Sequence, residues 1–424
     1  MAVVVGIVIG TGIFRLPPLV AANSSGPAQF LLFWVAGGVI SLLGALCWAE
    51  LSSSHPDAGG EYYFLRRAFG PGAGFFLSWG RMTVIQTGSI ALVAFILGEF
   101  ASRLLDLGPH GPSIYAAGAI VLLTGLNILG TVHSRRIQNC LAAAIAGALL
   151  VLAAGALLRP PAGEAGGLTL TGTGGEPVSL GAAGLALIFV LFTYGGWSEA
   201  AYLTGELKNV RRNILKVLVA GIAVITGLYL LINLAYLHQL GFEGLRGSGA
   251  VGADLAQAVF GRTAAVILAV IVILAGLSTA NATILTGSRT NYALGRDFRL
   301  LNFMGKWNGR RNTPARALLV QGAIALALVA GARTERGIET VIAYTAPVFW
   351  FFILMTAASL FVFRRRGDLD PEGYRLPLFP LPPLLFMAAV AYLLYSSLAY
   401  AGTGALTGAA ILLAGVPVYL LARK

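Results

Sequence analysis

Charge is what this sequence has least of. Only 11% of its 424 residues are Asp, Glu, Lys or Arg, while 57% are hydrophobic. Soluble domains carry about 25% charged residues. Mean hydropathy is +0.81. Too few polar side chains exist to cover a water-facing surface, which excludes a soluble globular protein. Acidic residues are scarcer than basic ones, 17 against 29, for a net charge of +12. In so apolar a chain that excess reads as Arg-rich cytoplasmic loops, not as a nucleic-acid partner. Cysteine is nearly absent. Cys47 and Cys140 both sit in apolar runs, so neither a disulfide framework nor a Cys-x-x-Cys metal site can be built. The four histidines, His55, His110, His133 and His238, form no His-x-x-x-His pair and suggest no Ser–His–Asp cluster. Gly70-Pro-Gly-Ala-Gly74 is not followed by the Gly-Lys-Ser/Thr of a phosphate loop. No enzyme, metal site or cofactor is read from the chain.

Long apolar runs are plentiful. A membrane-spanning helix takes about 20 residues. The runs divide into twelve segments at roughly 2–22, 28–51, 72–103, 113–130, 134–158, 180–204, 214–238, 262–290, 315–332, 338–363, 377–399 and 403–421. Met1-Ala2-Val3 lacks a basic n-region and a small-residue cleavage site, so the first run reads as a span and not as a signal peptide. Placing the N-terminus in the cytoplasm puts 21 Lys/Arg in inner loops and the tail, against 6 in outer loops. Both ends are therefore expected inside.

Glycine is abundant, 55 residues, and it interrupts two spans near their middles. The first holds Gly6-Ile-Val-Ile-Gly10-Thr-Gly12-Ile-Phe14 and the sixth Phe192-Thr-Tyr-Gly195-Gly196-Trp-Ser198. Nine helical residues rise about 13.5 Å, so the Gly10 break falls near the middle of a core about 30 Å thick. Five spans followed by five more must have opposite topology, because five is odd. Broken helices at matching positions of an inverted repeat point to a secondary-transporter site. The expected organisation is a first repeat over 1–163, a second over 164–366, and two last spans over 367–424. Unwound backbone exposes N–H groups that suit a carboxylate and carbonyls that suit an ammonium or a cation. An α-amino acid carries both groups on one carbon.

These motifs resemble the first- and sixth-helix signatures of the amino acid–polyamine–organocation superfamily, and in particular its L-type (light-chain) amino acid transporters. Ala49-Glu-Leu51, Pro56-Asp-Ala-Gly-Gly-Glu-Tyr62 and Arg67-Ala-Phe-Gly70 are similar to that family's loop after helix two. Glu206-Leu-Lys-Asn209 with Arg211-Arg-Asn213 resembles its loop after helix six, and Leu277-Ser-Thr279 with Gly287-Ser-Arg289 extends the match into helix eight. The resemblance implies an all-α integral membrane protein of the leucine-transporter type, with twelve transmembrane helices, a 5+5 inverted repeat, and helices 1 and 6 broken. It implies an α-amino acid substrate, expected to be neutral, moved by alternating access across the inner (cytoplasmic) membrane. A polyamine or other organic cation is the alternative cargo; a channel, a sensor or a membrane enzyme is a more distant reading.

The resemblance also assigns residues. The substrate carboxylate would meet the backbone of Thr11, Gly12 and Ile13 and the Thr11 hydroxyl; the ammonium would meet carbonyls near Val8, Phe192 and Gly195. Phe192 would be the gate, with Ser198 and Trp197 beyond the break. Gln86, Asn281 and Tyr344 are candidates for side-chain selectivity. Many light-chain relatives carry a helix-five lysine in the place of a sodium ion. Here Ile145 aligns with it, and residues 131–158 contain no lysine. The carbonyls near Gly6 and Ile9 then need another partner. One is a sodium ion shared with the hydroxyls of Ser278 or Thr279; another is ordered water, with coupling either absent or carried by protons through Glu199. Animal members join a heavy chain through a cysteine after helix three. Residues 104–112 hold none, so no disulfide-linked heavy chain is expected. Glu50 and Arg81, near the inner ends of helices two and three, are expected to serve as a gate or structural ion pair. Arg15 could draw substrate into the outer vestibule, and Glu99 reads as interfacial.

Overall fold

A computed structural model describes residues 10–55, 60–130, 135–161, 178–196, 210–309, 311, 313–332, 337–400 and 402–422. Among them the chain is helical. The exception is an isolated antiparallel bridge between Asn308 and Thr313. In chain order the helices are α1 (Pro17–Ala22), α2 (Pro27–Ser54), α3 (Glu61–Phe69), α4 (Pro71–Leu104), α5 (Gly111–Ile128), α6 (Arg135–Leu157), α7 (Leu180–Thr193) and α8 (Val210–Gly247). There follow α9 (Val251–Phe260), α10 (Arg262–Asp297), α11 (Ala315–Gly331), α12 (Gly337–Arg366), α13 (Leu381–Tyr400), α14 (Thr403–Leu413) and α15 (Gly415–Ala422). Nine helical stretches among the described residues are long and apolar enough to cross a membrane. Three more, α7, α9 and α11, are apolar but shorter.

The expected spans and the helices agree within a few residues for α2, α4, α5, α6, α11, α12 and α13. Elsewhere they differ for local reasons. The sixth helix stops at Thr193 because Tyr194 to Gly196 form a turn, with Gly196 at φ 98°, a conformation that favours glycine. The seventh continues past 238 to 247 through a kink at Gly241, φ 68°. The eighth continues to Asp297. The last run is two helices, α14 and α15. Helices α3 and α9, polar-sided and short, were not expected as separate elements.

The chain folds into two compact units. One comprises Met1–Phe64, Asn139–Ile271 and Ile353–Tyr400; the other comprises Leu65–Gln138, Val272–Phe352 and Ala401–Lys424. In the first, α8 packs along α2, and α13 packs along α7 and α2. Close approach is made possible by adjacent glycines: a side chain at Gly37 would collide with Val190, and one at Gly38 with Thr226. Glu50, fully buried on α2, accepts two hydrogen bonds from the Arg364 guanidinium, both 2.8 Å, and a third from the Leu376 N–H at 3.0 Å. Arg364 also lies 3.9 Å over the Phe379 ring, and the Ser53 hydroxyl accepts from the Tyr374 N–H at 3.0 Å. The partner of Glu50 is thus Arg364, 314 residues away, and not Arg81 as the sequence led us to expect. Bidentate geometry and a third donor satisfy a carboxylate that burial would otherwise penalise.

In the second unit, α4 packs along α5, and α11 packs against both. One turn of α4, Arg81–Ile85, is a π-turn: the Gln86 N–H reaches back to Arg81 O. The extra residue breaks the regular ladder, and the Tyr344 hydroxyl donates to Thr83 O at 2.7 Å within it. Amide side chains then join the helices. Gln86 donates to Thr283 O (3.0 Å) and accepts from Arg81 (3.2 Å). Asn127 donates to Asn281 Oδ1, and Asn291 donates to Gln321 (3.1 Å), which donates to Ile284 O (3.1 Å).

Candidate functional site

The first unit contains both interrupted segments. Gly10 is extended (φ −107°, ψ 179°), Thr11–Phe14 form a single 3-10 turn, and α-helix resumes only at Pro17. A 3-10 turn takes its first intra-turn bond at the fourth residue, so the Thr11 and Gly12 N–H groups are donors the turn itself does not use. Pro17 and Pro18 at the start of α1 withhold no needed donor and favour helix entry there. The second interruption is the end of α7. Among its last carbonyls, Phe192 O accepts a local turn bond from the Gly195 N–H at 3.4 Å.

The two segments are neighbours. A Cβ on Gly12 would lie 3.6 Å from the Thr193 Cα and 3.6 Å from its hydroxyl, with Leu16 at 3.4 Å. Ile13 and Phe14 are fully buried, and Thr11 nearly so. On the other side of Phe14, α9 approaches so closely that a Cβ at Gly252 would meet the Phe14 ring at 2.5 Å. Gly12 itself is only partly buried, as are Phe192 and Gly195.

Helix α8 supplies what the sequence reading missed. Tyr229, Asn233 and Tyr236 follow the i, i+4, i+7 spacing of one helical face. The Tyr229 hydroxyl donates to Thr193 O at 3.2 Å and is hydrogen-bonded by the Gly10 backbone, so it ties one break to the other. The Tyr236 hydroxyl donates to Ile13 O at 3.2 Å. Tyr194, beside the second break, donates to Trp34 O at 3.0 Å, and its ring packs against Trp34 and Tyr229. Carbonyls freed by unwinding are costly unless paired, and these phenols pair them. Asn233 is fully buried. Its amide nitrogen donates to Tyr229 O at 2.7 Å, while its carbonyl oxygen has no partner. The helical spacing of Tyr229, Asn233 and Tyr236 in a mostly apolar run was the signal available in the sequence; only the fold shows that Tyr229 and Tyr236 face the breaks.

Of the expected site residues, Thr11, Gly12, Ile13, Phe192 and Gly195 are brought together in this unit. Val8, Gly6, Ile9, Ser198 and Glu199 lie outside the described residues. Asn281, Ser278 and Thr279 belong to α10 in the second unit. There Asn281 accepts from Asn127, and Gln86 and Tyr344 are likewise held by the hydrogen bonds given above. The Ser278 hydroxyl is buried with no hydrogen-bond partner, and Thr279 O accepts from the Thr283 hydroxyl at 2.9 Å. Ile145 is buried on α6. Cys47 is buried and Cys140 exposed, both as thiols.

Nine described helical stretches long and apolar enough to cross a membrane, with interrupted polar backbone at a partly open spot, fit a multi-pass membrane transporter. The comparison with known proteins makes the class specific. The chain belongs to the amino acid permease family, whose model matches residues 1–421. It is similar to the b(0,+)-type amino acid transporter 1 of mouse, 30% identical over 395 residues, 92% of this chain and 80% of the relative. It is similar to the serine/threonine exchanger SteT of Bacillus subtilis, 27% identical over 428 residues, 100% of this chain and 95% of the relative. It is also similar to the rat large neutral amino acids transporter small subunit 2, 29% identical over 428 residues, 99% and 78%. Its activity is amino acid transport, and its partner is a small-molecule substrate.

Proposed function

We propose that the protein moves neutral α-amino acids by alternating access, with the substrate held on the unwound backbone of the first and sixth spans. The observation that supports this most is the juxtaposition of Gly12 with Thr193. It sets the unused Thr11 and Gly12 donors of a 3-10 turn beside the carbonyl end of α7. A carboxylate on the donors and an ammonium on the carbonyls near Val8, Phe192 and Gly195 would span that gap, because an α-amino acid separates the two groups by one carbon. Phe192, partly exposed, is read as the aromatic gate, with Ser198 following it in sequence. Asn281 is assigned to the side-chain pocket. Two of the similar proteins are named for neutral amino acids, one as a serine/threonine exchanger and one as a large neutral amino acids transporter.

The same reading takes the chain as twelve spans in a 5+5 inverted repeat, 1–163 and 164–366, with two further spans over 367–424. It places the protein in the cytoplasmic membrane with both ends inside, on the Lys/Arg asymmetry of the loops. Transport is read as exchange without an ion, in line with the name of the Bacillus relative. A second reading has one observation in its favour. The buried, unpaired Ser278 hydroxyl is an oxygen ligand suited to a hard cation, so Ser278 and Thr279 with carbonyls near Gly6 and Ile9 would hold sodium. Proton coupling through Glu199 is the third.

The test is uptake of labelled L-serine and L-leucine into proteoliposomes. Uptake that requires unlabelled amino acid inside, and ignores imposed sodium and proton gradients, is the expected result. Uptake driven by sodium and lost in Ser278→Ala would replace exchange with the second reading. Transport of putrescine but not of either amino acid would overturn the substrate class.

A further inference from the structure

The loop between α10 and α11 combines features that amino acid transport does not use. Residues 296–316 carry six cations, Arg296, Arg299, Lys306, Arg310, Arg311 and Arg316, and one acid, Asp297. Among them stand three large apolar side chains in the open: Leu300 is 50% exposed, Phe303 47% and Trp307 41%. Arg296, Arg299, Lys306 and Arg311 are exposed beside them.

The loop is firmly built. Leu301 and Met304 are buried in a cluster with Phe75, Met82 and Leu294. Gly305 passes so near Gly295 that a Cβ there would meet the Gly295 carbonyl oxygen at 2.7 Å. The Asn308 N–H donates to Thr313 O at 2.9 Å. Trp307 packs edge-on to Tyr292 at 5.1 Å, and the Arg296 guanidinium lies 6.0 Å from the same ring. A rigid loop has no folding reason to hold Leu300, Phe303 and Trp307 in water while Leu301 and Met304 are inside.

We infer that this loop is a binding surface for anionic phospholipid, with Leu300, Phe303 and Trp307 entering the headgroup region and the surrounding cations holding phosphate. It follows directly on α10, which is long and apolar enough to cross a membrane, and leads into the shorter apolar α11, so its place is at the bilayer surface. Aromatic and apolar side chains partition into that zone, and each Lys or Arg near an anionic surface adds attraction. A site for a soluble anion would need the cations but not the exposed Leu300 and Phe303. The inference rests on the chain spanning a membrane, and not on which solute it carries or on which end faces the cytoplasm.

The test uses the full-length protein in symmetric phosphatidylcholine vesicles that contain a minor fraction of a brominated lipid. The Trp307 signal is the fluorescence difference between the protein and Trp307→Phe. Brominated phosphatidylglycerol is expected to quench that signal severalfold more than brominated phosphatidylcholine. Arg296→Gln, Arg299→Gln and Lys306→Gln, each on an exposed side chain, should separately lower the advantage, by up to about fivefold per cation. Equal quenching by the two lipids, or none by either, overturns the inference. Loss of the advantage to added inorganic phosphate at constant ionic strength would assign the surface to a soluble anion instead. Uptake measured in the same vesicles reports on the transport reading separately.

Discussion

The two units differ in the buried polar side chains they lean on most. In the second, one phenol, Tyr344, serves the π-turn of α4, while amides bond to one another and to helix carbonyls: Asn127 to Asn281, Gln86 to Thr283, Asn291 through Gln321 to Ile284. Their partners are permanent, and the bonds join helices that apolar packing in lipid would join only weakly. In the first unit, phenols serve backbone that is not helical. Tyr229 and Tyr236 answer carbonyls that exist as free acceptors only because the chain unwinds at Gly10–Phe14 and after Thr193. An amide network fixes a shape, whereas a phenol pairs one carbonyl of an interrupted segment and leaves its neighbours, which the proposed function assigns to substrate.

The largest expected effect lies in neither network but at the Glu50–Arg364 pair, which sets the scale. Glu50→Ala leaves a partly buried guanidinium and the Leu376 N–H without their acceptor, and removing one partner of such a pair costs about 3–5 kcal/mol. A melting temperature in detergent within a degree or so of the parent would show that the loop after α12 does not depend on it.

Gly12→Val comes next. A Cβ at Gly12 meets only ordinary contacts, so the fold should survive, while the branched side chain occupies the space beside Thr193. Substrate affinity should fall by about two orders of magnitude, or about 2.7 kcal/mol. Normal affinity in this variant removes the break from the binding site.

A matched pair of variants sharpens the comparison itself. Gln321→Leu strands the Asn291 amide and Ile284 O in a fully buried place, at a cost of about 1–3 kcal/mol, and should lower stability while leaving KM unchanged. Tyr236→Phe strands only Ile13 O, at about 1 kcal/mol, yet should alter KM because it frees the turn that carries Thr11 and Gly12. Identical behaviour of the two in thermal melts and uptake kinetics would erase the distinction between shaping and ligand-holding polar groups.

The smallest effect concerns Tyr374, in the loop after α12. Burial, with the Glu50 charge next, pushes its hydroxyl up to about 12 from 10. Because the folded pKa is the higher one, the neutral phenol's contribution is complete below pH 10 and declines between pH 10 and 12. Tyr374→Phe should flatten that alkaline decline and change nothing at pH 7, as read by thermal melts across the range.

The residues themselves determined a great deal. Scarce charge, long apolar runs and glycine pairs are local properties, and they marked a membrane protein, most helix positions, and both interruptions. The breaks at Gly10–Phe14 and after Thr193 were legible because closely spaced glycines permit backbone that is not α-helical. Partnerships across the chain were not. Arg364 stands 314 residues from Glu50, and nothing in either neighbourhood names the other; Arg81 was an equally good cation. Tyr229, Asn233 and Tyr236 looked like ordinary polar positions in the seventh span, because a helix's periodicity tells which residues share a face and not what that face meets. Tertiary structure decided these matters because a buried donor or acceptor must find its complement wherever the packed helices bring one, and that place is fixed by the whole fold and not by the local sequence.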